Sequence, residues 1–386
     1  MLSKQKERRM VRKREKWADP TLLEEARKYG KFDVNACLNC GGCTIDCPLT
    51  SNGTTFSPRR TIQYVRAGLR EKLQGSLDPW LCYYCGDCST SCPRQTETGE
   101  SMMTLRRYVT TQYDWTGLSS KFYKSKVWQI GALIVAGVAM TTSLLLFRPH
   151  QLLEFGHLFE LSAVFAVMLL IFIPNILRMY WFTVGRTNPK PSFKPYLTEL
   201  KTSVLHAVTQ LQLRKCTEKG FWLKHWFVAA GYVLTLILLV FVGWFQTYIY
   251  PAYHPFKLAG LVVITVLLVF TAILIIDRIK KREVMHKFSQ LSDWLFPIWL
   301  FMMIFTLFLA YISLSLGTKG VGYAIYAVHL VILSQWALVI VPFSKWTHFL
   351  YRPLAIYFHA IKEKASQMQL LREGKLSLER VKQNVG

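Results

Sequence analysis

Eight cysteines in two short runs constrain this chain more than any other feature. Cys37, Cys40, Cys43 and Cys47 are followed by Pro48, and Cys82, Cys85, Cys88 and Cys92 by Pro93, so the spacing C-x-x-C-x-x-C-x-x-x-C-P occurs twice. Three thiolates at i, i+3 and i+6 wrap three corners of one [4Fe-4S] cube, and the fourth, turned away before its proline, reaches the other cube. The expected ligand sets are Cys37, Cys40, Cys43 with Cys92, and Cys82, Cys85, Cys88 with Cys47. A disulfide framework fits poorly, because the cysteines are tightly packed on a 386-residue chain with no secretory signal. Structural zinc usually takes two well-separated C-x-x-C pairs, which is not this arrangement.

The rest of the composition points to lipid. The chain is 52% hydrophobic with a mean hydropathy of +0.22, too apolar for an ordinary pair of soluble domains. Its net charge of +24 does not imply nucleic acid, since the basic residues flank long apolar runs and no recognition motif accompanies them. Thiolate ligands of oxygen-sensitive clusters also call for a reducing, cytoplasmic compartment.

In chain order, residues 1–30 read as a basic arm suited to anionic lipid or an acidic partner. The iron–sulfur domain is expected over 31–120. Between its cysteine runs, Ser57-Pro58 leads into Ile62, Val65 and Leu69 at helical spacing, so the connection is a helix. A helical spacer points to the helical ferredoxin type found in the iron–sulfur proteins of respiratory complexes. A membrane domain is expected over 121–350, with spans at 127–147, 158–181, 223–247, 258–276, 294–316 and 323–343, each long enough to cross a bilayer. Trp128, Trp181, Trp222, Trp244, Trp294 and Trp346 suit the interfacial belt. The expected fold is thus all-α, a helical two-cluster domain followed by a six-helix transmembrane bundle. A charged tail fills 351–386.

Basic residues orient the bundle. With the cysteine domain inside, the inner connections and tail from Arg178 onward, Lys224 included, hold 22 Lys and Arg, against Arg148, Lys257 and Lys319 outside. Both ends of the chain then lie on the cytoplasmic side of the inner membrane. The inner loop carries Leu197, Leu200, Val204, Leu205, Val208 and Leu211 on one face, as in a helix lying on the membrane surface. Cys216 reads as a structural or incidental thiol.

Histidines at membrane depth are candidate ligands, because neutral imidazole is an axial ligand of b-type haem held between helices. His329 and His348 are 19 residues apart, roughly 28 Å along a helix, which puts them in opposite leaflets. The third span enters from the cytoplasm at His225, and the sixth returns to that face at His348. His225 and His348 are therefore expected to share an inner haem, with Lys224, Lys345 or Arg352 near its propionates. For His329 the outer candidates are His150, His157 and His254. His157 is preferred, because an apolar span follows it directly and Pro149 favours a helix starting before it. His206, His286 and His359 read as ordinary surface residues.

Two resemblances extend this reading. The cysteine runs, including Trp80-Leu-Cys-Tyr-Tyr-Cys-Gly-Asp-Cys-Ser-Thr-Ser-Cys-Pro-Arg94, resemble the C component of heterodisulfide reductase over roughly residues 30–115. His329-Leu-Val, then Val341-Pro342-Phe343-Ser344-Lys345 and His348, resembles the last helix of the gamma subunit of respiratory nitrate reductase, whose two histidines ligate two b haems. One departure is that the third span offers His225 and then Thr235, where that family has a second histidine. The combination resembles the membrane subunits of the quinone-interacting membrane-bound oxidoreductase complexes of sulfate reducers. That resemblance implies two haem b groups, menaquinone as lipid-side substrate, soluble partners like the flavin and iron–sulfur protein heterodisulfide reductase A, and adenylylsulfate reductase as downstream acceptor. The chain is then an electron-transfer subunit of a quinone-linked oxidoreductase with no self-contained catalytic site beyond the quinone site. A membrane subunit of a heterodisulfide reductase-like or sulfite-reduction-linked complex is the alternative.

Overall fold

Among the described residues every regular element is helical. The structure, a computed structural model, describes residues 18–50, 55–187, 190–216, 219–241 and 255–372. The basic arm up to residue 17, Trp244, His254 and the side chain of Cys216 lie outside the described residues.

The spacer between the cysteine runs is a helix, Pro58–Arg66, as its sequence requires. Ser57 caps it by accepting from the Arg60 amide at 3.2 Å, and Pro58 stands at its start, where a missing N–H costs nothing. The helix Thr98–Tyr113 runs through the centre of the iron–sulfur domain, burying Met102, Leu105, Tyr108 and Val109. Large side chains like these each contribute about 1.5–3 kcal/mol when removed from water.

Six helices are long and apolar enough to cross a membrane: Lys126–Leu144, Pro149–Gly185, Gly220–Leu238, Pro255–Ile279, Leu291–Ser315 and Lys319–Phe343. They form a multi-pass membrane domain. The second starts at Pro149, earlier than hydropathy alone indicates, because His150 and Glu154 are polar and yet helical. Its Pro174 has no N–H to give the Leu170 carbonyl. Trp115 supplies one from its indole Nε1 at 2.7 Å. Just before that proline, and again just before Pro342 in the sixth span, the helix widens into π-helical turns at Met168–Phe172 and Trp336–Ile340. Gln335 ties three spans together: its Oε1 accepts from Trp299 Nε1 at 2.9 Å and its Nε2 donates to the Leu133 carbonyl at 3.0 Å.

The two domains are joined by buried charge. Arg107 of the iron–sulfur domain reaches Glu100 at 3.1 Å and Asp293 of the fifth span at 3.2 Å, and Lys345 reaches Asp293 at 2.9 Å. Isolated charges would be costly here, and the pairing ties the cysteine domain to the fifth and sixth spans.

The tail is not a free appendage. The helix His348–Arg372 buries Tyr351, Ala355, Phe358 and Ile361 in the same core as Trp80 and Met102. The inner-loop helix Phe193–Thr209 packs on it through its polar side: Glu199 pairs with Lys364, Ser203 donates to the Pro353 carbonyl at 3.3 Å, and Tyr357 donates to the Tyr196 carbonyl at 2.7 Å. Leu197, Leu200, Val204, Leu205 and Val208 face outward. This inverted amphipathicity is that of a helix whose outer medium is lipid.

Candidate functional site: paired cysteine loops and a histidine pair

The two cysteine runs fold as copies of each other, every position recurring 45 residues on. Asn39 and Tyr84 both take positive φ, at 57° and 61°, and Gly41 and Gly86 do so at 93° and 96°. Short helices follow at Gly42–Ile45 and Asp87–Thr90. At Gly86 the requirement is twofold, since a Cβ there would also meet Val284 Cγ1 at 2.6 Å.

Cys37, Cys40, Cys43 and Cys92 line one hollow. The Cys88 thiol has Cys82, Cys85, Cys47 and Cys43 as electrostatic neighbours, and Cys47 in turn neighbours Cys85. The fourth cysteine of each run thus stands with the first three of the other. Among the described residues, no disulfide joins these eight cysteines. The second group is deep: Cys47, Cys82 and Cys88 are buried, whereas Cys40 is exposed between exposed Leu38 and Ile45. Burial pushes the Cys82 thiol up to about 11, against the pull of Arg106, and raises Cys88 further. Buried thiols of this kind become thiolates when iron takes their protons' place, so the donor set fits an iron–sulfur cluster.

Near the start of the third span and just past the end of the sixth, the rings of His225 and His348 meet edge-on, with centroids 6.1 Å apart and an interplanar angle of 61°. Two imidazoles on one metal ion place their ring centres about 6 Å apart, because each bond is about 2.0–2.1 Å and each centre lies about 1 Å behind its nitrogen. Both rings are oriented through Nδ1, that of His348 donating to the Lys345 carbonyl at 2.7 Å and that of His225 facing Gln210 Oε1 at 2.7 Å. With Nδ1 so engaged, Nε2 is the nitrogen each ring can offer to a metal ion. Burial, reinforced by His225 and Arg352, holds the His348 imidazole well below its ordinary range and hence neutral, as a ligand must be.

The cations expected beside this pair are differently engaged. Lys224 pairs with Asp277 at 2.5 Å and Lys345 with Asp293. Arg352 donates to the carbonyls of Trp80 at 3.3 Å and Cys82 at 2.6 Å, and Arg106 also donates to the Cys82 carbonyl. The deep cysteine group and the histidine pair are thereby connected through one side chain, a link that no local pattern in the sequence announces.

His329 is buried, with Nδ1 donating to the Met303 carbonyl at 3.1 Å beside Thr306 Oγ1 at 3.1 Å. It lines a cavity of about 220 Å3 among the second, third, fifth and sixth spans, together with Glu160, Tyr232 and Thr235. His157 is half-buried, one turn outward of Glu160, and is not among the lining residues. His150 is exposed, and His286 is buried rather than superficial. Glu160 escaped the sequence reading, although a lone acidic residue inside an apolar run was the signal for it.

Residues 36–97 match the family model of the 4Fe-4S dicluster domain. A heterodisulfide reductase C-like protein of Archaeoglobus profundus is 27% identical over 92 residues, which make up 24% of this chain and 49% of that protein. The chain spans about half the length of this curated relative. No solved structure matches. The chain is therefore similar to known electron-transfer proteins in its N-terminal part, a 4Fe-4S dicluster domain, here continued into six membrane-spanning helices.

Proposed function

We propose that this chain conducts electrons between a quinone in the inner membrane and soluble partner proteins on the cytoplasmic side, through haem b and two [4Fe-4S] clusters. The observation that carries the proposal is the meeting of His225 and His348 at 6.1 Å, next to an arginine bonded to the backbone of the deep cysteine group. In this reading Cys82, Cys85, Cys88 and Cys47 hold the cluster nearest the membrane, and Cys37, Cys40, Cys43 and Cys92 hold the outlying one. Exposed Cys40, Leu38 and Ile45 then mark where soluble flavin and iron–sulfur proteins similar to heterodisulfide reductase A approach. His225 and His348 hold an inner haem b, and His329 with His157 an outer one. Such groups supply single-electron steps. The chain supplies the ring orientations through Nδ1, the burial that excludes water, and the charge near Cys82.

By resemblance the quinone is menaquinone and the downstream acceptor adenylylsulfate reductase, in dissimilatory sulfate reduction. The similarity to a heterodisulfide reductase C-like protein supports a second reading, a membrane subunit of a heterodisulfide reductase-like or sulfite-linked complex. An optical and EPR redox titration of the complex purified in detergent tests the first proposal. Two [4Fe-4S] signals and low-spin haem b are expected. A preparation with clusters and no haem overturns the haem reading.

A further inference from the structure

Glu160 is a half-buried carboxyl of the membrane half that neither the haems nor the clusters use. The second span begins at Pro149 and the sixth at Lys319, so Glu160 and His329 both lie ten or eleven residues in, about 15 Å along their helices. They line the same cavity from different spans. A carboxyl at such depth, among Phe159, Ala163, Val164 and Leu307, is expensive to bury without a polar partner. Of the other polar groups nearby, Thr235 donates to the Gly231 carbonyl at 2.8 Å, Tyr232 Oη accepts from Trp336 Nε1 at 3.4 Å and keeps its own proton to donate, and Tyr326 is an electrostatic neighbour of Glu160.

Three further observations describe what fits there. The cavity, at about 220 Å3, exceeds the about 150 Å3 that takes up a benzene ring. Met168 and Phe349, two of its lining residues, are 38% and 43% exposed, so its wall reaches the lipid-facing surface and a membrane-dissolved molecule can enter sideways. Two of the three π-helical turns among the described residues, Met168–Phe172 and Trp336–Ile340, contribute to its lining, and such turns concentrate at functional sites. The ligand is thus flat, apolar, lipid-soluble and equipped with an oxygen that bonds a carboxyl.

We infer that this cavity receives the headgroup of a quinone, with Glu160 as the hydrogen-bond partner of one of its two ring oxygens. The inference rests on the proposed quinone function and gives it a place and a residue. A carboxyl accepts from a quinol hydroxyl when ionised and donates to a quinone carbonyl when protonated, so it serves both redox states.

The test is a fluorescence titration of the detergent-purified complex with the quinone analogue 2-heptyl-4-hydroxyquinoline N-oxide. The wild type is expected to bind it saturably, Glu160→Leu at least tenfold more weakly, and Glu160→Gln, which keeps a hydrogen-bonding end, in between. Ala337→Trp, which fills the cavity and leaves Glu160 intact, is expected to abolish binding, and haem absorbance is expected to be unchanged in the two Glu160 variants. Wild-type affinity in both Glu160→Leu and Ala337→Trp overturns the inference while leaving the quinone reading in place. Loss of a haem in Glu160→Leu also overturns it, by making the cavity a haem pocket. A wild type that binds no analogue overturns the quinone reading itself.

Discussion

Arg352, one helical turn beyond His348, donates from Nη2 to the carbonyl oxygen of Cys82 at 2.6 Å. Its guanidinium also lies 4.3 Å from the ring centre of Tyr83, the next residue. A fixed positive charge is thus held between the deep cysteine group and the paired histidines, with Arg106 beside it on the same carbonyl. Positive charge near a cluster favours its reduced state. Replacing Arg352 by Gln is expected to lower the potential of the cluster held by Cys82 by on the order of 50 mV, and to leave the other cluster unmoved. Potentiometric EPR measures both, and equal shifts in the two signals would contradict the assignment.

Crosswise ligation makes a separate prediction. In Cys47→Ser the signal of the cluster on Cys82, Cys85 and Cys88 is expected to change or vanish, although Cys47 belongs to the other run. A change confined to the cluster on Cys37, Cys40 and Cys43 would show that each run serves itself.

The histidines are tested one at a time. His225→Ala and His348→Ala are each expected to remove the same haem, so the double variant loses no more than either single one. His157→Ala is expected to remove a different haem. Full haem content in His157→Ala would sink the pairing of His157 with His329.

At the junction of the domains, Asp293 stands between Arg107 and Lys345. Asp293→Asn leaves buried Arg107 and half-buried Lys345 without their shared anion, a change worth about 3–5 kcal/mol. Thermal unfolding followed through cluster absorbance should show the loss as a lower midpoint.

The outward apolar face of Phe193–Thr209 is tested by placing an environment-sensitive fluorophore at Leu200→Cys. In lipid vesicles its emission should shift to the blue and be quenched by spin labels placed shallowly in the acyl chains, about 5–10 Å below the headgroups. Emission typical of water would mean that the face meets a protein partner or solvent instead.

The cysteine loops and the spans were legible because their signals are local: a spacing of three, or an unbroken apolar run. The tail was half legible. Tyr351, Ala355, Phe358 and Ile361 form a helical stripe, but the charges around them suit a docking surface and a solvated helix equally, and only the partner surface decides which face counts. The ion pair of Arg107 with Asp293 joins residues 186 apart, and no periodicity encodes such a meeting. Glu160 was missed for a different reason. A single carboxylate barely lowers the hydropathy of a long span, and its meaning comes from the cavity that four helices build around it.

Cys92 stands with Cys37, Cys40 and Cys43 rather than with its own run. Neither hollow is complete until both runs are present, so the first three cysteines wait, as the chain is made, for a fourth that emerges 49 residues after Cys43. On the proposed crosswise ligation, metal loading is a late event in the life of the polypeptide. A truncated product that ends before Cys92 carries seven thiols and lacks the fourth cysteine of the first hollow.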